Sequence, residues 1–345
     1  MWSNVLRRVG YALLVIVIVT IGVRGLMSLA PGSIAEVILG EAATPENVAK
    51  LNSELGLDRP FFAQYFDWAA NAVRGDLGVS PISHASVTEA IMQRLPVTLE
   101  LAVFALVIAL LVAIPLAVIS ASMPNSAVDR AINAVTAVFL SIPAFVAGPV
   151  LIYIFAVHLR LLPALGWVPI ADGLGPNLRS ALLPAIAVAL VEIAAFHRVL
   201  RADLIGTLRE DFVAAARAKG MTRGYVLFRH AFRPSSFSLL TISGLSLARL
   251  IGGTIIVEAL FVLPGLGQLI STSIMQRDVI TVQGVVTFIA VAFVVINMLV
   301  DIGYGLIDPR VRRAPGKKRR RAATASAPTP TEPTPLQDQK EAVSA

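Results

Sequence analysis

The chain contains no cysteine among its 345 residues, which excludes a disulfide framework and thiolate metal sites. Four scattered histidines offer no metal-ligand spacing. Charge is scarce: 15% of residues are Asp, Glu, Lys or Arg, against about 25% in soluble domains. No G-x-x-x-x-G-K-S/T run occurs, so nucleotide binding by a phosphate loop is excluded. No Ser/His/Asp or paired-carboxylate arrangement presents itself either. The chain therefore does not read as an enzyme, and no cofactor or metal is expected. What is abundant is apolar sequence, with 56% hydrophobic residues and a mean hydropathy of +0.76. These values describe a polytopic membrane protein.

Six spans are expected at about 9–30, 97–120, 132–158, 180–200, 236–260 and 284–306, because about 20 apolar residues cross a hydrocarbon core. With both termini cytoplasmic, inside segments hold 20 of the 29 Lys and Arg residues and outside segments hold seven. That bias follows the positive-inside rule, so the net charge of +7 reflects membrane topology and not nucleic-acid binding. The expected fold is all-α: six transmembrane helices, a cytoplasmic helical loop between spans 4 and 5, and an extracytoplasmic helical segment between spans 1 and 2. Its parts are an N-terminal helix (1–30), the outside segment (31–95), a transmembrane core (96–310) and a basic then disordered cytoplasmic tail (311–345).

The stretch 210–233 between two apolar segments is too charged to cross a bilayer, yet its alanines favour a helix. Asp211 near the start and Arg217 and Lys219 near the end complement the helix dipole. Gly220 is placed to stop the helix with a positive φ. A second short helix over 222–229 is expected to follow at an angle. The alternative is an amphipathic helix lying on anionic lipid.

Ala214-Ala215-Ala216-x-x-x-Gly220 resembles the cytoplasmic "EAA" loop of permease subunits of binding-protein-dependent ABC transporters. Asp211-Phe212-Val213 through Lys219-Gly220 is similar to its version in oligopeptide/dipeptide permeases. Ala214 stands where the family has glutamate, a common substitution in the peptide branch, and the terminal I-x-L-P is missing. The resemblance extends over about residues 30–310. It includes Leu29-Ala30-Pro31-Gly32, Leu55-Gly56-Leu57-Asp58-x-Pro60, Arg74-Gly75-Asp76-Leu77-Gly78-x-Ser80, and Leu95-Pro96-Val97-Thr98-Leu99-Glu100-Leu101. It continues through Leu162-Pro163-Ala164-x-Gly166-Trp167, Glu258 with Pro264-Gly265-Leu266-Gly267, and Tyr304-x-x-x-Asp308-Pro309-Arg310.

The resemblance implies a permease in a bacterial inner membrane. Its partners would be two ATP-binding ABC ATPase subunits, a second permease chain and an extracytoplasmic solute-binding protein that delivers di- or oligopeptides. It also implies that Asp211, Ala214, Ala215, Ala216, Arg217, Lys219 and Gly220 form the coupling helix seated on the ATPase. Nickel chelates or other small solutes are the alternative cargo within the family. A self-sufficient secondary transporter or a membrane scaffold are the alternatives outside it.

Several residues invite individual readings. Arg7 and Arg8 before an apolar run resemble a signal peptide, but the run is long enough to span and Pro31 would follow the cut, so an uncleaved anchor is preferred. Arg24 either snorkels to the outer interface, the preferred reading, or faces the path. In 31–95, Thr44-Pro45-Glu46 starts a helix ending near Leu55-Gly56. The aromatics Phe61, Phe62, Tyr65, Phe66 and Trp68 form an interfacial belt or pack under that helix. Pro96 suits a first helical turn, and Pro115 a kink. Ser141, Pro143 and Phe145 are placed at mid-membrane as path-lining, with a packing kink as the alternative. Glu192 is placed shallow and pairs locally.

Arg249, Gly252 and Gly253 are the remaining path candidates. Arg249 either faces the path and meets a peptide carboxylate or partner-subunit acid, or forms a structural ion pair within or between chains. Asp308 caps or pairs near the inner surface, and 317–321 is a basic anchor.

Overall fold

Long apolar runs leave the backbone no polar solvent, so each closes its hydrogen bonds internally as a helix. In the computed structural model, which describes residues 2–29 and 32–307, five helices are long and apolar enough to span a membrane. A bent pair brings the number to six if it counts as one span. Residues 1–301 form one compact unit, and a second begins at Ile302. Ala30 and Pro31 of the first-span turn, Asp308, the 317–321 run and the 311–345 tail lie outside the described residues.

The chain opens with α1 (Trp2–Leu29), then three short helices: α2 (Ile34–Leu39), α3 (Pro45–Glu54) and α4 (Phe61–Ala72). Ser33 and Glu36 form a reciprocal capping box at the start of α2. The Thr44 hydroxyl accepts the Asn47 amide at 3.3 Å, and Gly56 turns the chain away with φ +66°, so α3 begins and ends as its residues predict. The aromatics of α4 divide. Tyr65 is buried against Thr20 of α1, with 2.9 Å between the hydroxyls, whereas Phe62 and Phe66 are exposed.

The bundle is built on α5 (Val87–Ser122) and α8 (Leu174–Thr207). Ala105, Ala109, Ala113, Ala117 and Ala121 recur every fourth residue along α5 and are buried. Small side chains let two backbones approach closely. Ala181, Ala185 and Ala189 do the same on α8. The helices run in the same direction: Asn177 near the start of α8 donates to Glu100 at 2.6 Å, and further along both helices Arg201 reaches Ser120 at 2.8 Å. Helix α5 begins well before Pro96, which lies in its interior and not in its first turn.

Between them come α6 (Ala127–Ser141) and α7 (Ala144–Leu151), the latter continued by a π-helical turn, Ile152–His158. The two segments meet at 103° across Ile142-Pro143. After α8 comes the short α9 (Asp211–Ala218). The expected separate helix at 222–229 is instead the start of a long one. A single turn, α10 (Arg223–Tyr225), passes through a π-helical stretch, Val226–Phe232, into α11 (Arg233–Gly253). Pro234 directly follows the π-helical stretch, and the helix continues through it. The chain closes with α12 (Ile255–Leu260), α13 (Leu266–Met275) and α14 (Val279–Ile307).

Candidate functional site

Helix α9 is the polar element held between two spans. Its alanines supply helix propensity, and its anchors are Val213 and Ala216, buried against Val226 and the partly buried Leu208. The C-terminal turn is a Schellman motif. The Gly220 amide donates to Arg217 O at 2.9 Å and the Met221 amide to Ala216 O at 3.3 Å, while Gly220 holds φ +77°. The opposite face is open: Asp211, Ala214, Ala215, Arg217, Lys219 and Gly220 are all exposed. Phe212, Met221, Tyr225 and Phe228 stand exposed around them. The result is a slim alanine surface with cations at one end and apolar side chains at its rim.

Both flanks of α9 are fastened to the bundle. The Thr207 hydroxyl, at the end of α8, lies 3.1 Å from that of Ser235 in the first turns of α11. On the same end of the bundle, Asp129 in the first turn of α6, whose amide donates to the Ser126 cap, takes both Nε and Nη2 of Arg201, at 2.8 and 2.7 Å, with the Ser120 hydroxyl on the same carboxylate. One carboxylate thus joins α5, α6 and α8. Sequence reasoning missed this cluster, although Ser126-x-x-Asp129 is a legible cap signal.

The path candidates fall into two groups with no hydrogen bond or ion pair between them among the described residues. Ser141, Pro143 and Phe145 occupy the break between α6 and α7. Ser141 turns its hydroxyl back to Ala137 O at 2.9 Å, Pro143 precedes the first turn of α7, and Phe145 is exposed. Arg249, Gly252 and Gly253 lie on α11. Gly252 is close-packed, since an added Cβ would stand 3.2 Å from Ile289; Gly253 has open space.

Glu192 departs from expectation. It is midway along α8 and buried, because α8 continues well past Arg198. Its partner is not local but Arg249, whose Nη2 stands 2.7 Å from Oε1. The Ser246 hydroxyl donates to the same carboxylate at 2.7 Å. Of the readings open for Arg249, the structure contains the intrachain pair. The guanidinium side chain is nevertheless 59% exposed while that of Glu192 is 4% exposed, so the pair presents its cation and hides its anion.

Glu258 explains the glycines that follow it. Its buried carboxylate accepts from Thr254 and from the Gly267 amide, both at 2.7 Å. A Cβ on Gly265 would overlap that carboxylate, and one on Gly267 would overlap Ile255 backbone. Arg24 also differs from the snorkelling reading. It is 9% exposed and donates to Gln283 at 2.8 Å and Gln64 at 2.5 Å. Among the described residues no group of His, Asp or Glu is placed to hold a metal ion.

Apolar helices of spanning length, two of them joined by the short exposed helix α9, define a multi-pass membrane protein. The chain belongs to the family described as binding-protein-dependent transport system inner membrane component, which matches residues 113–313, and the corresponding N-terminal component matches residues 1–102. A putative peptide transport system permease protein of Brucella abortus (strain 2308) is 39% identical over 90% of this chain and 99% of its own length. An oligopeptide transport system permease protein of Bacillus subtilis (strain 168) is 32% identical, with 90% and 99% covered. A dipeptide transport system permease protein of Escherichia coli (strain K12) is 33% identical, again with 90% and 99% covered. The chain is a permease subunit of an ABC importer, and such a subunit works with separate ATPase and binding-protein components.

Proposed function

We propose that the chain forms half of the translocation path of an importer for di- or oligopeptides. Two ATPase subunits, a second permease of different sequence and an extracytoplasmic solute-binding protein would complete the assembly. The names of the relatives support peptides as the cargo. Both termini are assigned to the cytoplasm, 31–95 to the outer side and 311–345 to a cytoplasmic tail, on the distribution of Lys and Arg.

The observation that carries the mechanism is α9: buried on Val213, closed by Gly220, and open on its alanine face. That face is the docking surface for the ATPase, with Ala214 and Ala215 permitting close approach and Arg217 and Lys219 supplying charge. A push on α9 reaches α8 through the 208–210 turn and α11 through the helix that starts at Arg223. Because Glu192 and Arg249 join those helices, both move as one body. Their movement switches the path between outward and inward access, and Arg249 offers its guanidinium to the path.

The experiment is purification of the tagged chain in mild detergent with mass spectrometry of copurifying proteins, beside an Ala215→Trp variant. An ATPase and a second permease are expected with the native chain, and loss of the ATPase alone with the variant. A chain that purifies alone and moves solute in liposomes without ATP would sink the reading. Uptake of a labelled dipeptide by cells carrying the assembly tests the cargo.

A further inference from the structure

A cavity of about 1120 Å³ opens between the end of α1, the 32–68 segment and the turn from α13 to α14. It is as large as the biggest ordinary ligand pockets, ~300–1,000 Å³. Its walls are mostly apolar, with Met27, Leu57, Phe61, Trp68 and Ile280 among them. They hold three guanidiniums. Arg59 is neutralised by Asp67 at 2.7 Å. Arg24 and Arg277 remain, with Asp58 the other acid in the lining and the Glu36 carboxylate beside the Arg277 guanidinium around Gly32.

Arg24 is the unusual one. It sits in the second half of a spanning helix, is 9% exposed, and its partners among the described residues are two neutral amide oxygens. A guanidinium stays charged, and a charge taken out of water needs a counter-charge. The Nε2 of Gln283, beside it, is buried with no acceptor. No residue of α5, α8 or α11 contributes a wall, so the cavity lies apart from the helices assigned to the path. It borders α1, whose Leu26 and Leu29 are exposed.

We propose that this cavity holds the headgroup of one acidic phospholipid, its phosphodiester against Arg24 and Arg277 and its acyl chains along α1. A phosphodiester supplies the negative charge that Arg24 lacks, charge-assisted hydrogen bonds fit a guanidinium, and the apolar wall continues into the lipid-facing side of α1. The bound lipid would clamp α1 and the 32–68 segment to the α13–α14 turn. This inference does not depend on which solute is transported.

The test uses the full-length chain in detergent micelles doped with equal amounts of phosphatidylglycerol and phosphatidylcholine, read by native mass spectrometry. One phosphatidylglycerol is expected to stay bound, preferred about tenfold, which corresponds to ~1.4 kcal/mol. Arg24→Gln and, separately, Arg277→Gln should each reduce that preference several-fold. If Arg24→Gln fails to accumulate, Arg277→Gln with competition by free phosphate decides. Equal retention of both lipids, a preference that survives the substitutions, or displacement of the lipid by millimolar inorganic phosphate or by a dipeptide would overturn the proposal.

Discussion

Arg249 on α11 reaches Glu192 on α8 with Nη2 2.7 Å from Oε1 and 2.9 Å from Oε2, while Ser246 secures the same carboxylate. The two residues stand 57 positions apart in the chain, Glu192 midway along α8 and Arg249 in the last turns of α11. The asymmetric exposure of the pair determines how its members respond to substitution.

Arg249→Leu removes the counter-charge from a buried carboxylate, a class of change that costs about 3–5 kcal/mol. Glu192→Leu leaves an arginine that is already 59% exposed, so it should cost less. The double variant should recover much of the loss in thermal unfolding, because no buried charge remains. If Arg249 serves the path, the double variant will assemble normally yet take up peptide poorly. Normal uptake in that assembled double variant would remove Arg249 from the path.

Gly267→Ala drives a Cβ into the backbone of Ile255 and crowds the Glu258 carboxylate. Overpacking of this kind costs ~1–3 kcal/mol. Gly253→Ala meets nothing within 4 Å and serves as the control. Limited proteolysis should show the first variant cut faster near the α12–α13 turn and the second unchanged.

Gly220→Ala introduces no steric contact but places a Cβ at φ +77°. Left-handed conformations cost non-glycine residues roughly 1–2 kcal/mol, with asparagine tolerated better. Gly220→Asn should therefore retain more ATPase in a copurification than Gly220→Ala. Equal retention by both would show that the Schellman turn is not needed for docking.

Arg201→Lys exchanges a two-pronged grip on Asp129 for a point charge, so the ladder joining α5, α6 and α8 loosens. ATP hydrolysis by the assembly should persist while peptide uptake falls by several-fold, as measured in proteoliposomes. Proportional loss of both activities would argue for a general folding role instead.

Much of this was legible along the chain. Spans of the right length, the Thr44-Pro45-Glu46 start and the Gly220 stop are local properties, each decided by hydropathy, capping or backbone freedom within a few residues. Where local signals conflict with continuity, reading them one at a time failed. Pro96 suits a first turn but lies inside α5, and the 222–229 segment flows into α11 through a π-helical stretch. In both places the chain keeps most of its backbone hydrogen bonds by continuing, and a spanning helix gains little from stopping.

By itself the sequence determined the class of the molecule and which runs become helices, because transfer of apolar runs from water and the geometry of caps act over short distances along the chain. Only the tertiary structure decided the partners of the charges. It placed Glu192 with Arg249, Asp129 with Arg201 and Arg24 between Gln64 and Gln283. A charge in a membrane interior is stabilised by whatever stands a few ångströms away in space, and which residue that is depends on how helices far apart in sequence are packed.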